Sequence, residues 1–85
     1  MADTVDRHRE AAARHTEAAE RHDAAHRFWQ ERGDEARAEL ERRNAAIERD
    51  AAQLERDRAA LDEANPIQHR AERPGELSVR RSGRP

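Results

Sequence analysis

Large apolar residues recur at intervals of seven in the second half of the region that precedes Pro66. We call these four residues the leucine line: Leu40, Ile47, Leu54 and Leu61. Such a line is typical of a helix that packs along a coiled-coil seam. Asn44 lies four residues after Leu40, at the second seam position of the heptad. An asparagine at such a position fixes the register of the helices at some cost in stability. The pattern predicts a helix over residues 34–64 whose leucine line, together with Asn44, forms an interface.

The residues that directly follow the leucine line are all acidic, which limits the partners of this helix. A parallel, in-register homodimer would bring Asp50 close to Glu55 and Asp57 close to Asp62, and both contacts would be repulsive. The nearest alternative partner is the first half of the chain, which carries arginines and histidines. The acidic positions concerned are Glu41, Glu48, Glu55 and Asp62.

The first half of the chain has a polar repeat of the same period. An Arg-His pair recurs three times at intervals of seven between residues 3 and 32, with alanines in between and no proline. Asp3 or Thr4 is suited to the N-cap of this helix. We predict a helix over residues 3–32 with a narrow, small-sided face that lets another helix approach closely. That face carries His8, His15 and His22, flanked by Ala12 and Ala19.

The two predicted helices meet at Gly33-Asp34, where a glycine stop is followed at once by an N-cap-type aspartate. Trp29 lies one turn earlier, and we expect it to be substantially buried at the closed end of a hairpin. The predicted fold is therefore all-α: a two-helix antiparallel hairpin over residues 1–65, with coiled-coil-like packing, that assembles into a helical bundle. Residues 66–85 contain three prolines, two glycines and scattered arginines, and we predict a disordered basic tail there.

One continuous coiled-coil helix is the alternative fold. A single line of period seven runs unbroken through the proposed corner, and a true loop need not preserve that phase. A glycine in the middle of a helix costs about 1 kcal/mol, which counts against this alternative. The line consists of Val5, Ala12, Ala19, His26, Gly33, Leu40, Ile47, Leu54 and Leu61.

The histidines suggest two kinds of chemistry. Only His22 and His26, four residues apart on one helical face, are close enough in sequence to chelate one metal ion. Histidines that face the acidic edge of the second helix would instead change charge near neutral pH and respond to it. The second arrangement needs no metal, and we expect no bound cofactor.

Composition excludes several classes of function. The 34% hydrophobic content is mostly alanine and aromatic residues are 2%, so the large core and substrate pocket of an enzyme are not expected. Residues 1–65 hold 12 Arg against 17 Asp and Glu, whereas residues 66–85 hold 5 Arg against 2 Glu. This acidic body makes nucleic acid an improbable partner. No apolar run reaches the roughly 20 residues of a membrane span, and the charged start does not resemble a secretory signal, so we expect a cytoplasmic protein.

The central part of the chain resembles other small helical proteins. The resemblance implies no particular activity and transfers no binding residue. We therefore predict a non-enzymatic helical interaction or scaffold module, a homo-oligomer or a binder of partner helices; the alternative is a histidine-based metal-binding or pH-responsive protein. The run Ala18-Ala19-x-x-His22-x-Ala24-Ala25, followed by Phe28-Trp29, Gly33-Asp34 and Ala36, resembles the small Ala/Arg/Glu-rich helical proteins of high-GC bacteria and, more loosely, the helix-turn-helix corner of tetratricopeptide-type repeats.

Overall fold

The computed structural model describes residues 3–65, which form two helices packed along each other. Helix α1 spans Thr4–Glu31 and helix α2 spans Glu35–Ala64. Together they make up 92% of the described residues, among which no strand occurs. The predicted all-α hairpin is confirmed, and the continuous helix is wrong. The predicted tail, 66–85, lies outside the described residues.

Side chains cap the two outer ends of the hairpin. At the start of α1, Asp3 Oδ1 accepts a hydrogen bond from the backbone N–H of Asp6 at 2.8 Å. At the end of α2, the backbone N–H of Asn65 donates to the carbonyl of Leu61 at 3.0 Å, and its side-chain amide donates to the same oxygen at 3.2 Å. The first cap satisfies a backbone N–H that the start of a helix leaves without an intrahelical partner, and the second adds a side-chain donor to a carbonyl of the last turn.

The corner between the helices is a Schellman motif that runs directly into an N-cap. Gly33 has a φ of +77°, and its N–H donates to the carbonyl of Gln30 at 3.0 Å. The N–H of Asp34 reaches back to the carbonyl of Trp29, also at 3.0 Å. Asp34 Oδ1 then accepts from the N–H of Arg37 at 3.0 Å and starts α2. One glycine in the left-handed region therefore ends α1 and reverses the chain.

Arginines cover the aromatic pair at this corner. The Phe28 and Trp29 rings meet edge to face, with centroids 4.9 Å apart. The Arg37 guanidinium lies 4.9 Å from the Trp29 ring centroid, and that of Arg32 lies 3.5 Å from the Phe28 centroid. Trp29 is intermediate in exposure at the closed end of the hairpin, so the burial predicted for it is found in part.

The helices are joined along a seam made only of alanines, which we call the alanine seam. Each of its members is between 1% and 4% exposed, and the described residues include no other buried side chain. A side chain as small as a methyl group lets two helix backbones approach closely, and the burial of each methyl contributes little on its own. The alanine seam consists of Ala12 and Ala19 on α1 and Ala38, Ala45, Ala52 and Ala59 on α2.

The leucine line does not face α1, so the expectation that it would meet the first helix is wrong. Each of its residues follows an alanine of the seam by two positions, which places it about 200° around the helix at 3.6 residues per turn. The exposed fractions are 55% for Leu40, 63% for Ile47, 49% for Leu54 and 63% for Leu61, and Asn44 is exposed beside them. Neither α1 nor α2 is both long and apolar enough to cross a membrane.

Candidate functional site

Beside the alanine seam, the predicted histidine face of α1 meets the acidic edge of α2. From one pair to the next, the residue number rises by seven on α1 and falls by seven on α2, as antiparallel packing requires. The three pairs, which we call the histidine ladder, join a histidine Nδ1 to a carboxylate Oε1: His8 to Glu55 at 2.6 Å, His15 to Glu48 at 2.7 Å and His22 to Glu41 at 2.6 Å. The predicted juxtaposition of histidines and glutamates is confirmed.

The acceptors determine where each imidazole carries a proton. A carboxylate or carbonyl oxygen only accepts, so Nδ1 must be the donor in every bond of the histidine ladder. His26 follows the same rule, because its Nδ1 donates to the backbone carbonyl of Ala38 at 2.8 Å. These bonds form with the neutral Nδ1–H tautomer and with the imidazolium alike. Protonation at Nε2 therefore adds charge to a bond that already exists.

The open end of the histidine ladder has additional charged groups. Nε2 of His8 lies 3.5 Å from Oδ2 of Asp62, and Arg58 donates to Oε2 of Glu55 at 2.9 Å. The hydrogen bond from His8, and after it the charge of Arg58, lower the pKa of Glu55 below its usual value. Among the glutamates of the ladder, Glu55 also has the least exposed side chain, at 15%. Protonation of Glu55 is therefore disfavoured in the hairpin.

The predicted metal pair, His22 and His26, lies on one face as expected, but the two Nδ1 atoms bind different acceptors, Glu41 and the Ala38 carbonyl. Within residues 3–65 there is no group of three or more His, Cys, Asp or Glu residues that could hold a metal ion. The pair thus brings together no third ligand from the described part of the chain.

A second polar ladder of period seven, which we had not predicted, also joins the helices. The arginines of its ion pairs are more than half exposed, so each ion pair is worth only about 0–1 kcal/mol. The residues of this ladder recur at intervals of seven on each helix, and this spacing is visible in the sequence. Which residue of α1 pairs with which residue of α2 could be assigned only once the alanine seam was known. Its pairs are Arg9 with Glu63, Thr16 with Arg56 and Asp23 with Arg49.

The outer face of α2 combines the leucine line with a flank of charged residues. Residues three or four positions before or after a member of the leucine line are its neighbours on the helix surface and form the flank. The N-terminal half of this face carries Arg37 and Arg43, and the C-terminal half carries Asp50, Asp57 and Arg58; all five are exposed. α1 has only one large apolar side chain that is exposed, Phe28 at 44%. The apolar surface of the hairpin is therefore concentrated on one side of α2.

The remaining predicted interface residues are Trp29 and Asn44. Trp29 lies at the corner under Arg37, and Asn44 is exposed on the outer face of α2. The structure thus brings Asn44 together with the leucine line and leaves Trp29 apart from it, at the closed end of the hairpin.

No protein-family model matches this chain, and neither a curated protein nor a solved structure matches it.

Proposed function

We propose that this chain is a non-enzymatic interaction module that associates with other helices, in the first place with copies of itself, by coiled-coil packing of the leucine line. The observation that carries the proposal is the position of the large apolar residues. All four lie on the outer face of α2 and are about half exposed, while the hairpin is closed by alanines. We place the module in the cytoplasm, in keeping with its 42% charged residues.

The energies involved predict association of moderate strength. Fully burying one such side chain contributes roughly 1.5–3 kcal/mol, so completing the burial of four half-exposed ones on each of two copies contributes about 6–12 kcal/mol. Association of two proteins costs an estimated 4–15 kcal/mol in lost translational and rotational freedom. The two terms are similar in size. At the favourable ends of both ranges the surplus is about 8 kcal/mol, which corresponds to a dissociation constant of about 1 μM. We therefore expect a mass that rises with concentration from the micromolar range upward.

The test is the mass in solution, measured by light scattering with helicity followed by circular dichroism. Wild-type protein should be oligomeric at micromolar concentration and lose mass on dilution. An Ile47→Gln/Leu54→Gln variant should remain helical and become monomeric. The control variant, Ala13→Gln/Ala24→Gln, makes the same kind of change at two exposed positions of α1 and should associate like wild type. A fully helical wild-type protein that stays monomeric at every concentration would contradict the proposal.

The histidine ladder supports a second candidate function, a response to pH. Histidine changes charge between about pH 5 and 8, and each imidazolium would then face a carboxylate that the unfolded chain does not place beside it. The groups that face the histidines are Glu55 and Asp62 for His8, Glu48 for His15 and Glu41 for His22, and Arg58 also binds Glu55. Charged histidines should therefore make the hairpin more stable.

Asparagine offers a matched test of this candidate function, since its amide nitrogen can take the place of Nδ1 as a donor but does not titrate. We expect the melting temperature of wild type to rise as the pH is lowered from about 8 to 6, within the range in which histidine titrates. A His15→Asn/His22→Asn variant should show a smaller rise. Identical melting temperatures across this range in both proteins would contradict the pH response and leave the interaction module unaffected.

A further inference from the structure

We propose that the partner of the leucine line is α2 of a second copy, running antiparallel to the first, with the two-fold axis beside Asp50 and Ala51. This inference rests on the proposed function, since it names the partner of the same surface. What carries it is the distribution of charge along the outer face of α2. The N-terminal half of that face carries Arg37 and Arg43, whereas the C-terminal half carries Asp50 and Asp57 with a single arginine, Arg58, which binds Glu55 of its own helix.

A parallel, in-register pair of α2 helices brings like charges together. Along one edge of such a pair, Asp50 faces Glu55 of the second copy, and Asp57 faces Asp62 of the second copy. Both contacts occur twice because of the symmetry. One attractive contact, Arg43 with Glu48 of the second copy, offsets only part of this repulsion. Glu48 and Glu55 are moreover already bonded to histidines of α1.

An antiparallel pair brings the opposite halves of the face together. Leu40 then lies near Leu61 of the second copy, and Ile47 lies near Leu54 of the second copy, so the whole leucine line is covered. In the same register Arg43 lies beside Asp57 of the second copy, and this attractive contact also occurs twice. The basic end of one face therefore meets the acidic end of the other.

The same arrangement has a repulsive contribution. Asp50 approaches its own copy at the axis, and along the other edge Glu41 approaches Asp62 of the second copy and Glu48 approaches Glu55 of the second copy. Exposure of the Asp50 carboxylate at the rim of the contact keeps its repulsion small. The carboxylates of this edge are turned toward α1. His22, His15 and His8 donate to Glu41, Glu48 and Glu55, and Nε2 of His8 lies 3.5 Å from Oδ2 of Asp62. These edge carboxylates are held by α1 in either order, so the exposed flank of Arg43, Asp50 and Asp57 decides between them. Its opposite charges meet only in the antiparallel order, which is therefore the favoured one.

Cysteine cross-linking distinguishes the two orders, because the chain contains no cysteine of its own. Ala36 and Ala64 are exposed near opposite ends of α2, on the flank that carries Arg43 and Asp57. They are 28 residues apart, about 42 Å at a rise of 1.5 Å per residue, so a disulfide within one helix is impossible. In the antiparallel pair, Ala36 lies opposite Ala64 of the second copy.

The experiment uses full-length Ala36→Cys and Ala64→Cys variants, each checked for wild-type helicity, and oxidises them singly and as an equal mixture. The expected result is a cross-linked dimer several-fold more abundant in the mixture than in either variant alone. An Ala13→Cys variant, with its thiol on the exposed side of α1, is the control for random collision.

Three outcomes would overturn the antiparallel order. Cross-linking of each single variant with itself, with no gain in the mixture, would show a parallel pair. A dimeric mass without cross-linking above the Ala13→Cys control would show that another surface, or another register, holds the copies together. Both results leave self-association intact. A monomeric mass of the unmodified protein at every concentration would overturn the proposed self-association as well, so failure of the two proposals can be distinguished.

Discussion

The two faces of α2 carry lines of the same period and opposite character. The inner face presents an alanine every seven residues, each at most 4% exposed, and the outer face presents a leucine or isoleucine every seven residues, each about half exposed. The larger apolar area of a face therefore does not decide that it turns inward. What distinguishes the inner face is that its alanines are followed, three residues later, by the carboxylates that bind the histidines of α1.

The difference shows how a short hairpin closes without a large core. The small side chains of the inner face allow the backbones to approach, and at that distance polar side chains on both edges reach across. The large side chains of the outer face contribute little to this closure, because roughly half of each already lies in water. They remain available for burial against something outside the hairpin, which is the basis of the proposed function.

The largest effect is expected from enlarging the inner face. Replacing Ala52, which is 1% exposed, with leucine inserts a branched side chain into the closest part of the contact. Overpacking of this kind typically costs about 1–3 kcal/mol, a large share of the stability of so small a protein. Ala46→Leu, at an exposed position of the same helix, is the control and should have little effect. Urea denaturation monitored by circular dichroism measures both variants.

A neutral or stabilising Ala52→Leu change would show that the inner face is loosely packed. The comparison between the two faces would then fail, because the inner face could accept the same side chains as the outer one.

A smaller loss of stability is expected from a change at Gly33, in the corner that joins α1 to α2. Gly33 has a φ of +77°, and nothing lies within 4 Å of the position that a Cβ would occupy. The cost of Gly33→Ala is therefore conformational alone, about 1–2 kcal/mol for an L-residue in the left-handed region. Gly33→Asn should cost less, because asparagine tolerates this conformation better. Thermal melting of the two variants checks the order, and equal losses in both would argue against the left-handed corner.

Truncation on the outer face should cost the hairpin itself less than either of these changes. Leu54→Ala would cost about 2–5 kcal/mol if the side chain were buried in a core. It is 49% exposed, so in dilute solution we expect a loss below about 1 kcal/mol. At concentrations where the protein associates, the loss should be larger. The measurement is the same denaturation curve at two protein concentrations, and a large loss that does not depend on concentration would place Leu54 inside the monomer.

The sequence was sufficient to predict the elements of this fold, because each depends on local chemistry. The predicted helices, over residues 3–32 and 34–64, begin and end within one residue of the observed limits. The meeting of histidines with glutamates followed from their common period and opposite charge. These features need no knowledge of which face of α2 is buried.

The seam could not be chosen in the same way. The alanine and leucine lines of α2 are equally periodic, two residues apart, and the larger side chains offer more apolar area, so the prediction favoured the wrong one. The structure explains the unbroken period of seven that had suggested a continuous helix. Its members Ala12 and Ala19 face inward on α1, whereas Ile47 and Leu54 face outward on α2. One line of residues at period seven therefore lies on the inner face of α1 and, after the corner, on the outer face of α2. The sequence alone does not show that the line moves from the inner to the outer face.

The smallest expected effect concerns acid stability and tests the polar edge of the inner face. The hairpin lowers the pKa of Glu55 from its usual 4.5, chiefly through the hydrogen bond from His8. The unfolded chain therefore binds the proton more readily. The stabilisation from Glu55 is present above about pH 4.5, and it is lost as the pH falls through the lower pKa of the folded state. Glu55→Gln should remove this part of the acid-induced fall in melting temperature.

Two further variants identify the source of that pH dependence. His8→Ala removes the principal bond and should flatten the acid limb about as much as Glu55→Gln. Glu17→Gln, an exposed change on α1 outside both ladders, should leave the limb as in wild type. Part of the limb should persist in every variant, because hydrogen bonds from Arg37 and Arg42 also lower the pKa values of Asp34 and Glu39. If Glu55→Gln and Glu17→Gln gave the same acid limb, the bond between His8 and Glu55 would contribute nothing to the closure of the hairpin, and the alanine contact alone would have to explain why this face of α2 turns inward.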